Sequence, residues 1–458
     1  MTTQTLPLPM EDHEDHEDHE GQGVQTLQVV QSDQDELRLS ELAASGRLLR
    51  LATAGSVDDG KSTLVGRLLH DLKAVLPDQL AAVERVSRER GLATADLALL
   101  TDGLRAEREQ GITIDVAYRY FATPTRRFIL ADTPGHVQYT RNMVTGASTA
   151  QLAVILVDAR HGVVEQTRRH AAVAALLRVP HMVLLVNKMD LVGFDKDKFA
   201  EIAADFERYV ERLGINEAIS IPISALRGDN VVEPSGAMDW YQGPTFLQYL
   251  EEVPAAADPS TEPARFPVQY VIRDGNLDYR GYAGQLLSGV LRAGDEVVVL
   301  PSNRCSTVAG IDLHGSPVGE AFAPQSIVVR LTDNLDVARG ELIAPTSSAP
   351  EATRELTATV CHLSERPLKA GDHVMLRHTT RTVKAVVAEL VHRIDITTLK
   401  TSVSPDALHA NDLAQIRLRT AAPIVPDDYA VNRQTGAFLL IDGPSGDTLT
   451  AGMIGRVL

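Results

Sequence analysis

The rhythm of apolar and polar positions changes twice along the chain. Residues 1–44 show no helical or strand period. A near-continuous apolar run at 48–54 is followed by a polar, glycine-bounded loop at 55–60. Leu64, Val65, Leu68 and Leu69 then recur at a spacing that predicts a helix over 62–72. Further near-continuous runs stand at 128–131, 152–157 and 182–186, each flanked by segments of helical spacing. Strands without polar alternation belong to a sheet buried on both faces, and strands separated by helices pair in parallel. The alternation continues to about Ser224. Residues 45–255 therefore read as one doubly wound α/β domain with a mostly parallel sheet.

Past residue 255 the punctuation differs. Residues 255–264, rich in Ala, Pro, Ser and Glu, read as a linker. Short β-prone runs follow at 266–272, 296–300, 327–331, 355–360, 373–376 and 383–390, separated by glycine and proline turns. That spacing predicts β-barrels or sandwiches. A second break near 349–350 divides them into two small β-barrel domains, 256–349 and 350–458.

Composition fits this division. A chain of 458 residues holds two to four domains, and 44% apolar with 23% charged residues is ordinary for a globular protein. No apolar run approaches the roughly 18 residues of a membrane helix. The N-terminus has neither the basic region nor the apolar stretch of a secretion signal. Cys305 and Cys361 lack paired spacing, which points away from disulfides or structural zinc and towards a reducing cytoplasm. Acidic residues number 61 against 44 basic, a net charge of −17 that disfavours nonspecific nucleic-acid binding. Neither a membrane nor a nucleic-acid partner is expected. Residues 11–20 read EDH three times and then Glu. His13, His16 and His19 could chelate a transition metal, but a period of three closes no ligand set. The reading is a disordered acidic tail over 1–44.

Five segments carry candidate chemistry. Gly55, Ser56, Val57, Asp58, Asp59, Gly60, Lys61 and Ser62, with Thr63 following, fit G-x-x-x-x-G-K-[ST] between the predicted strand and helix. Glycines let the backbone curl until its N–H groups face an anion, and the helix dipole adds to that field. Lys61 would reach the β- and γ-phosphates and the Ser62 hydroxyl would hold Mg²⁺. Asp132, Thr133, Pro134, Gly135 and His136 follow the run at 128–131. Asp132 would hold Mg²⁺ through a water, and the Gly135 N–H would sense a γ-phosphate. His136 is the candidate for orienting the attacking water and, with Lys61, is assigned to catalysis.

Base discrimination is assigned to Asn187, Lys188, Met189 and Asp190. The Asp190 carboxylate can accept from both N1–H and the 2-amino group of guanine, a donor pair that adenine lacks. Asn187 would hold the loop, and the Lys188 stem would pack on the base. Ser224, Ala225 and Leu226 end the next strand, with the Ala225 N–H aimed at guanine O6. Thr113, within the charged stretch 105–115, could add a second hydroxyl to Mg²⁺. Glu107 and Glu109 read as a solvated helix face. In this order the segments describe a GTP site with Mg²⁺ held by Ser62, Thr113 and Asp132.

REQGIT at 108–113, DTPGH at 132–136 and NKMD at 187–190, followed by β-domains, resemble the translation-factor-like GTPases. Narrower segments include GSVDDGKST at 55–63, LLTDGL at 99–104, DVAYR at 115–119, YTRNM at 139–143 and WYQGP at 240–244. NLDYRGYAG at 276–284, DNLDV at 333–337, NRQTG at 432–436 and AGMI at 451–454 join them. Together these are similar to the GTPase subunits of bacterial two-subunit sulfate adenylyltransferases, over residues 48–458. Asp59 stands where translation factors commonly have His, and Val137 where the sulfate-activating branch has Glu.

The resemblance implies a heterodimer with a small subunit that carries the ATP and sulfate site. GTP hydrolysis on this chain would drive formation of adenosine 5′-phosphosulfate and pyrophosphate, the first step of sulfate assimilation. Some relatives carry a fused adenylylsulfate kinase. This sequence shows no second G-x-x-x-x-G-K-[ST], so that activity is not expected. The rival readings are a translation elongation factor-like GTPase and a regulatory GTPase without coupled chemistry.

Overall fold

The computed structural model describes residues 48–75, 77–89, 95–100, 116–133, 140–215, 218–254, 259–274 and 279–455. The tail over 1–44, Thr113, Pro134, Gly135 and His136 lie outside the described residues. The first domain is a six-stranded sheet in the order β2-β3-β1-β4-β5-β6. Its strands are β1 (Leu48–Gly55), β2 (Ala117–Ala122), β3 (Arg127–Asp132), β4 (Leu152–Asp158), β5 (His181–Asn187) and β6 (Ala218–Pro222). All neighbours pair in parallel except β2 with β3. Edge strand β2 has the sequence AYRYFA and an alternating, half-exposed burial pattern. A run so polar escapes a search for continuous apolar segments.

The helices are α1 (Lys61–Asp71), α2 (Pro77–Glu89), α3 (Thr140–Ala147), α4 (Glu165–Leu176), α5 (Lys196–Arg212) and α6 (Phe246–Glu252). They cover both faces of the sheet, so every residue of β4 is buried. Leu152, Val154 and Leu156 pack in one core with Leu64 and Leu68 of α1 and Phe246 of α6. Ala153, Ile155 and Val157 pack in the other with α3, α4 and α5. Gly66 lets α1 approach its neighbour, since a Cβ there would lie 2.0 Å from the Leu97 carbonyl oxygen.

The middle domain is antiparallel. Its strand path begins at Phe266–Pro267 and ends at Tyr270–Asp274, two adjacent stretches of chain, so the sheet curls round to its own start. The single run expected over 266–272 is therefore split. Val268 donates to Glu341 on one side and Gln269 to Ala283 on the other. In the third domain six strands close into a barrel, from His373–His378 through Ala437–Ile441, Thr448–Ile454, Thr353–His362, Leu413–Ile424 and Arg381–Ile394 back to the first.

The third domain packs on both others. Cys361, Ile394, Leu413, Tyr429, Ala451 and Met453 join the core formed by α3, α4 and α5. The Tyr429 hydroxyl donates to the Leu177 carbonyl at 3.0 Å, and that of Tyr209 to Ile396 at 2.7 Å. Helix α4 explains its own sequence here. Its residues from His170 to Leu176 are buried all round, with the sheet on one side and the third domain on the other. On the opposite seam, Arg265 of the middle domain forms a two-pronged pair with Asp427 at 2.9 and 3.0 Å. Their side chains are 6% and 10% exposed.

Arg265→Ala would leave the Asp427 carboxylate at this seam without its counter-charge. Breaking a buried pair from one side costs about 3–5 kcal/mol. The expected outcome is a lower thermal midpoint and faster proteolysis at the middle–third domain junction. An unchanged midpoint would show that the seam does not depend on this pair.

Candidate functional site

Strands β1, β3, β4 and β5 end at Gly55, Asp132, Asp158 and Asn187 on one edge of the sheet, the edge at which open α/β sheets take ligands. Gly60 caps α1 in the left-handed conformation (φ +93) and supplies no side-chain hydrogen bond to the first turn. The N–H groups of that turn are thus left for an anion, with the helix dipole behind them. Ser62 and Thr63 sit half-buried on the same turn.

Inside the loop, the Lys61 ammonium donates to the carbonyls of Gly55 at 2.7 Å and Ser56 at 3.0 Å. Burial lowers the Lys61 pKa, and the charges of Asp132, Asp59 and Asp58 oppose that shift. The Asp59 carboxylate turns back under the loop to accept from the Ser56 N–H at 2.5 Å. Burial raises its pKa, and Lys61 is the largest influence in the other direction. A residue at the position usually held by His in translation factors is therefore an internal brace of the loop. Asp132 accepts from the Thr53 hydroxyl at 2.8 Å, and the Thr133 hydroxyl donates to the Thr53 carbonyl.

On the base side the organising group is the Asn187 carboxamide. Its nitrogen donates to the Asp59 carbonyl at 2.7 Å and its oxygen accepts from the Ala225 N–H at 2.9 Å. One side chain thereby joins the phosphate loop, the end of β5 and the segment after β6. A Cβ on Gly60 would lie 2.5 Å from the Asn187 amide nitrogen, so this approach admits only glycine, as its positive φ also requires. Asp190 accepts from the Ser224 hydroxyl at 2.7 Å.

Two of the expected base-side residues are engaged within the protein. The Ala225 N–H, aimed by the sequence reading at guanine O6, is bonded within the protein to Asn187. Met189, grouped with the guanine-binding residues, has its side chain fully buried in the core beside α4 and α5. Leu226 is 60% exposed, and its carbonyl, with that of Ala225, accepts from Arg67 of α1. The structure brings together Gly55 through Thr63, Asp132 with Thr133, Asn187 through Asp190, and Ser224 through Leu226. Sequence reasoning missed Arg67, Asp158 and Arg160. Asp158 pairs with Lys188 at 3.0 Å and with Arg160 at 2.6 Å. Asp158 closes an apolar run, as Asp132 does, and that was the available signal.

The model for the elongation factor Tu GTP binding domain matches residues 46–272, and that for the GTP-eEF1A C-terminal domain-like family matches 355–455. A "Bifunctional enzyme CysN/CysC" of Mycobacterium tuberculosis is 56% identical over 413 residues, 89% of this chain and 67% of that protein. A "Sulfate adenylyltransferase subunit 1" of Bacteroides fragilis is 48% identical over 89% of this chain and 86% of its own length. One of Shewanella oneidensis is also 48% identical, over 89% and 85%. With its translation-factor-like GTPase domain and antiparallel β-domains, the chain belongs to the sulfate adenylyltransferase subunit 1 family of enzymes.

Proposed function

We propose that this chain binds and hydrolyses GTP, and that the hydrolysis drives synthesis of adenosine 5′-phosphosulfate and pyrophosphate from ATP and sulfate on a small partner subunit. The carrying observation is the Asn187 bridge, which ties the phosphate loop to the two segments that would read guanine. The relatives' designation as subunit 1 supports a partner. On this reading the complex works in the cytoplasm, as the first step of sulfate assimilation.

Mg²⁺ fits the donor set. The Ser62 hydroxyl would ligate the ion directly and the Asp132 carboxylate through a water, both hard oxygen donors on the two elements beside the phosphate loop, and Thr113 would add a second hydroxyl. Bound with GTP, the ion would neutralise charge on the β- and γ-phosphates. The chain's own residues do the rest. Lys61 holds a buried cation beside the loop, where attraction for phosphate is stronger than in water. Asp190 would accept from the base, and the Ser224 hydroxyl, which donates to one of its oxygens at 2.7 Å, would orient it. His136 is assigned the attacking water.

Lys61→Ala removes the buried cation, and GTP turnover is expected to fall on the order of a hundredfold or more. Parent-like turnover would overturn the phosphate-loop assignment. His136→Ala should slow hydrolysis while leaving GTP affinity nearly intact, because water orientation belongs to the transition state. Equal losses in both would make His136 structural.

Asp190→Asn replaces an acceptor with a donor amide. Loss of charged hydrogen bonds costs about 1.5–3 kcal/mol each, so GTP should bind far more weakly. Xanthine carries a carbonyl where guanine has its 2-amino group, and that carbonyl can accept from the new amide. XTP should then compete better than GTP, and with the partner present it should support sulfate-dependent pyrophosphate release. A variant that still prefers GTP would remove Asp190 from base reading.

A further inference from the structure

Asp158 ends β4, outside every segment to which the GTP reading assigns a role. Its side chain is 2% exposed, yet it is surrounded by cations. Arg160 engages both carboxylate oxygens, and its backbone N–H donates to one of them at 2.9 Å. The Lys188 ammonium approaches the other at 3.0 Å. Burial alone would favour the neutral acid. The hydrogen bonds from Arg160 and Lys188 outweigh it and hold the carboxyl well below the usual range.

The same Lys188 ammonium also donates to the Asp58 carbonyl at the tip of the phosphate loop. The base-reading segment is thus pinned to that loop through a second link, besides Asn187. Lys188 adopts a positive φ of 63, a conformation that a side-chain-bearing residue keeps only when its surroundings hold it there. Those surroundings are β4 and the loop. Asp158 lies in register with Asn187, and the Ala159 N–H donates to the Asn187 carbonyl at 2.9 Å. The end of β4 therefore grips the NKMD segment by both backbone and side chain.

We propose that Asp158 is a positioning residue for the guanine nucleotide: by anchoring the Lys188 ammonium against β4 and the phosphate loop, it sets how long the nucleotide stays bound. The proposal rests on the GTP-binding reading above. A lysine stem fixed in advance has little freedom left to lose when a base packs on it, whereas an unanchored one must be ordered by the ligand. The effect belongs to binding and release, and the step of phosphate transfer should be little affected.

The test uses the full chain with a fluorescent GDP, following its release by stopped flow and the hydrolysis of bound GTP in single turnover. Asp158→Ala should release GDP about tenfold faster, a coupling of ordinary size for contacting residues, while single-turnover hydrolysis stays near the parent rate. Asp158→Asn keeps an acceptor for Lys188 without the charge and should fall between them. It supplies the measurement if the alanine variant does not fold, as judged by its melting curve. In a Lys188→Ala background, Asp158→Asn should change release no further.

Parent-like release in the Asp158 variants would overturn the proposal. So would an effect that persists undiminished in the Lys188→Ala background, which would mark Asp158 as a general support of the fold. Competition of the parent by GTP and ATP separates the two levels of the reading. If ATP displaces the probe as well as GTP does, the guanine reading fails and the proposal falls with it. A parent selective for GTP with release insensitive to Asp158 sinks the proposal alone.

Discussion

The site depends on a single buried carboxamide. Asn187 stands at the end of a strand whose every neighbour is packed, 2% exposed, and has two loops to satisfy. Buried amide groups that lose a partner cost more than the bond they made, so each loop is held at the distance the carboxamide sets. That distance is possible because Gly60 has no side chain. The loop at 55–60 and the segment after β6 are thus both tied to the end of β5 through the two ends of this carboxamide.

The same logic extends outward. A sheet buried on both faces needs helices that are apolar towards it, and α4 is apolar away from it as well, because the third domain covers its outer side. That domain meets the middle domain through an ion pair and, beside it, through Asn432, which donates to Glu262 and Ser288 at 3.0 Å. Both seams mix polar and apolar contacts: Val425 packs with Val298, Leu300, Leu342 and Ala344 of the middle domain, and Tyr429 and Tyr209 make hydrogen bonds across the seam with the first.

What could be read from the chain follows the range of each signal. The runs at 152–157 and 182–186 were legible because double-sided burial leaves no polar residue in them. The phosphate loop was legible because its requirements are local, glycines and a lysine at fixed offsets. Strands Arg304–Leu313 and Leu413–Ile424 escaped, since one side of a barrel wall faces water and their burial alternates. Arg67 and Asp158 escaped for another reason. Arg67 acts across a contact that no spacing in sequence records, reaching a carbonyl 159 residues away, and Asp158 pairs with Lys188, 30 residues on, so the end of its apolar run was its one local signal. The Ala225 N–H illustrates the same point, since the Asn187 oxygen that accepts from it lies 38 residues away in sequence.

The burial of α4 has a consequence for synthesis of the protein. The outer side of this helix is covered by residues that include Tyr429, Ala451 and Met453, and the Leu177–Tyr429 hydrogen bond spans 252 residues. At ordinary ribosome speeds of about 5–20 residues per second, Leu177 waits roughly 13–50 s for Tyr429 to be made. During that interval an apolar helix face is open to other chains. Its sequence, AAVAAL over 171–176, is mostly alanine. Alanine packs closely once the third domain arrives, yet offers little greasy surface while it is awaited. The same choice of small side chains serves both the finished molecule and the unfinished one.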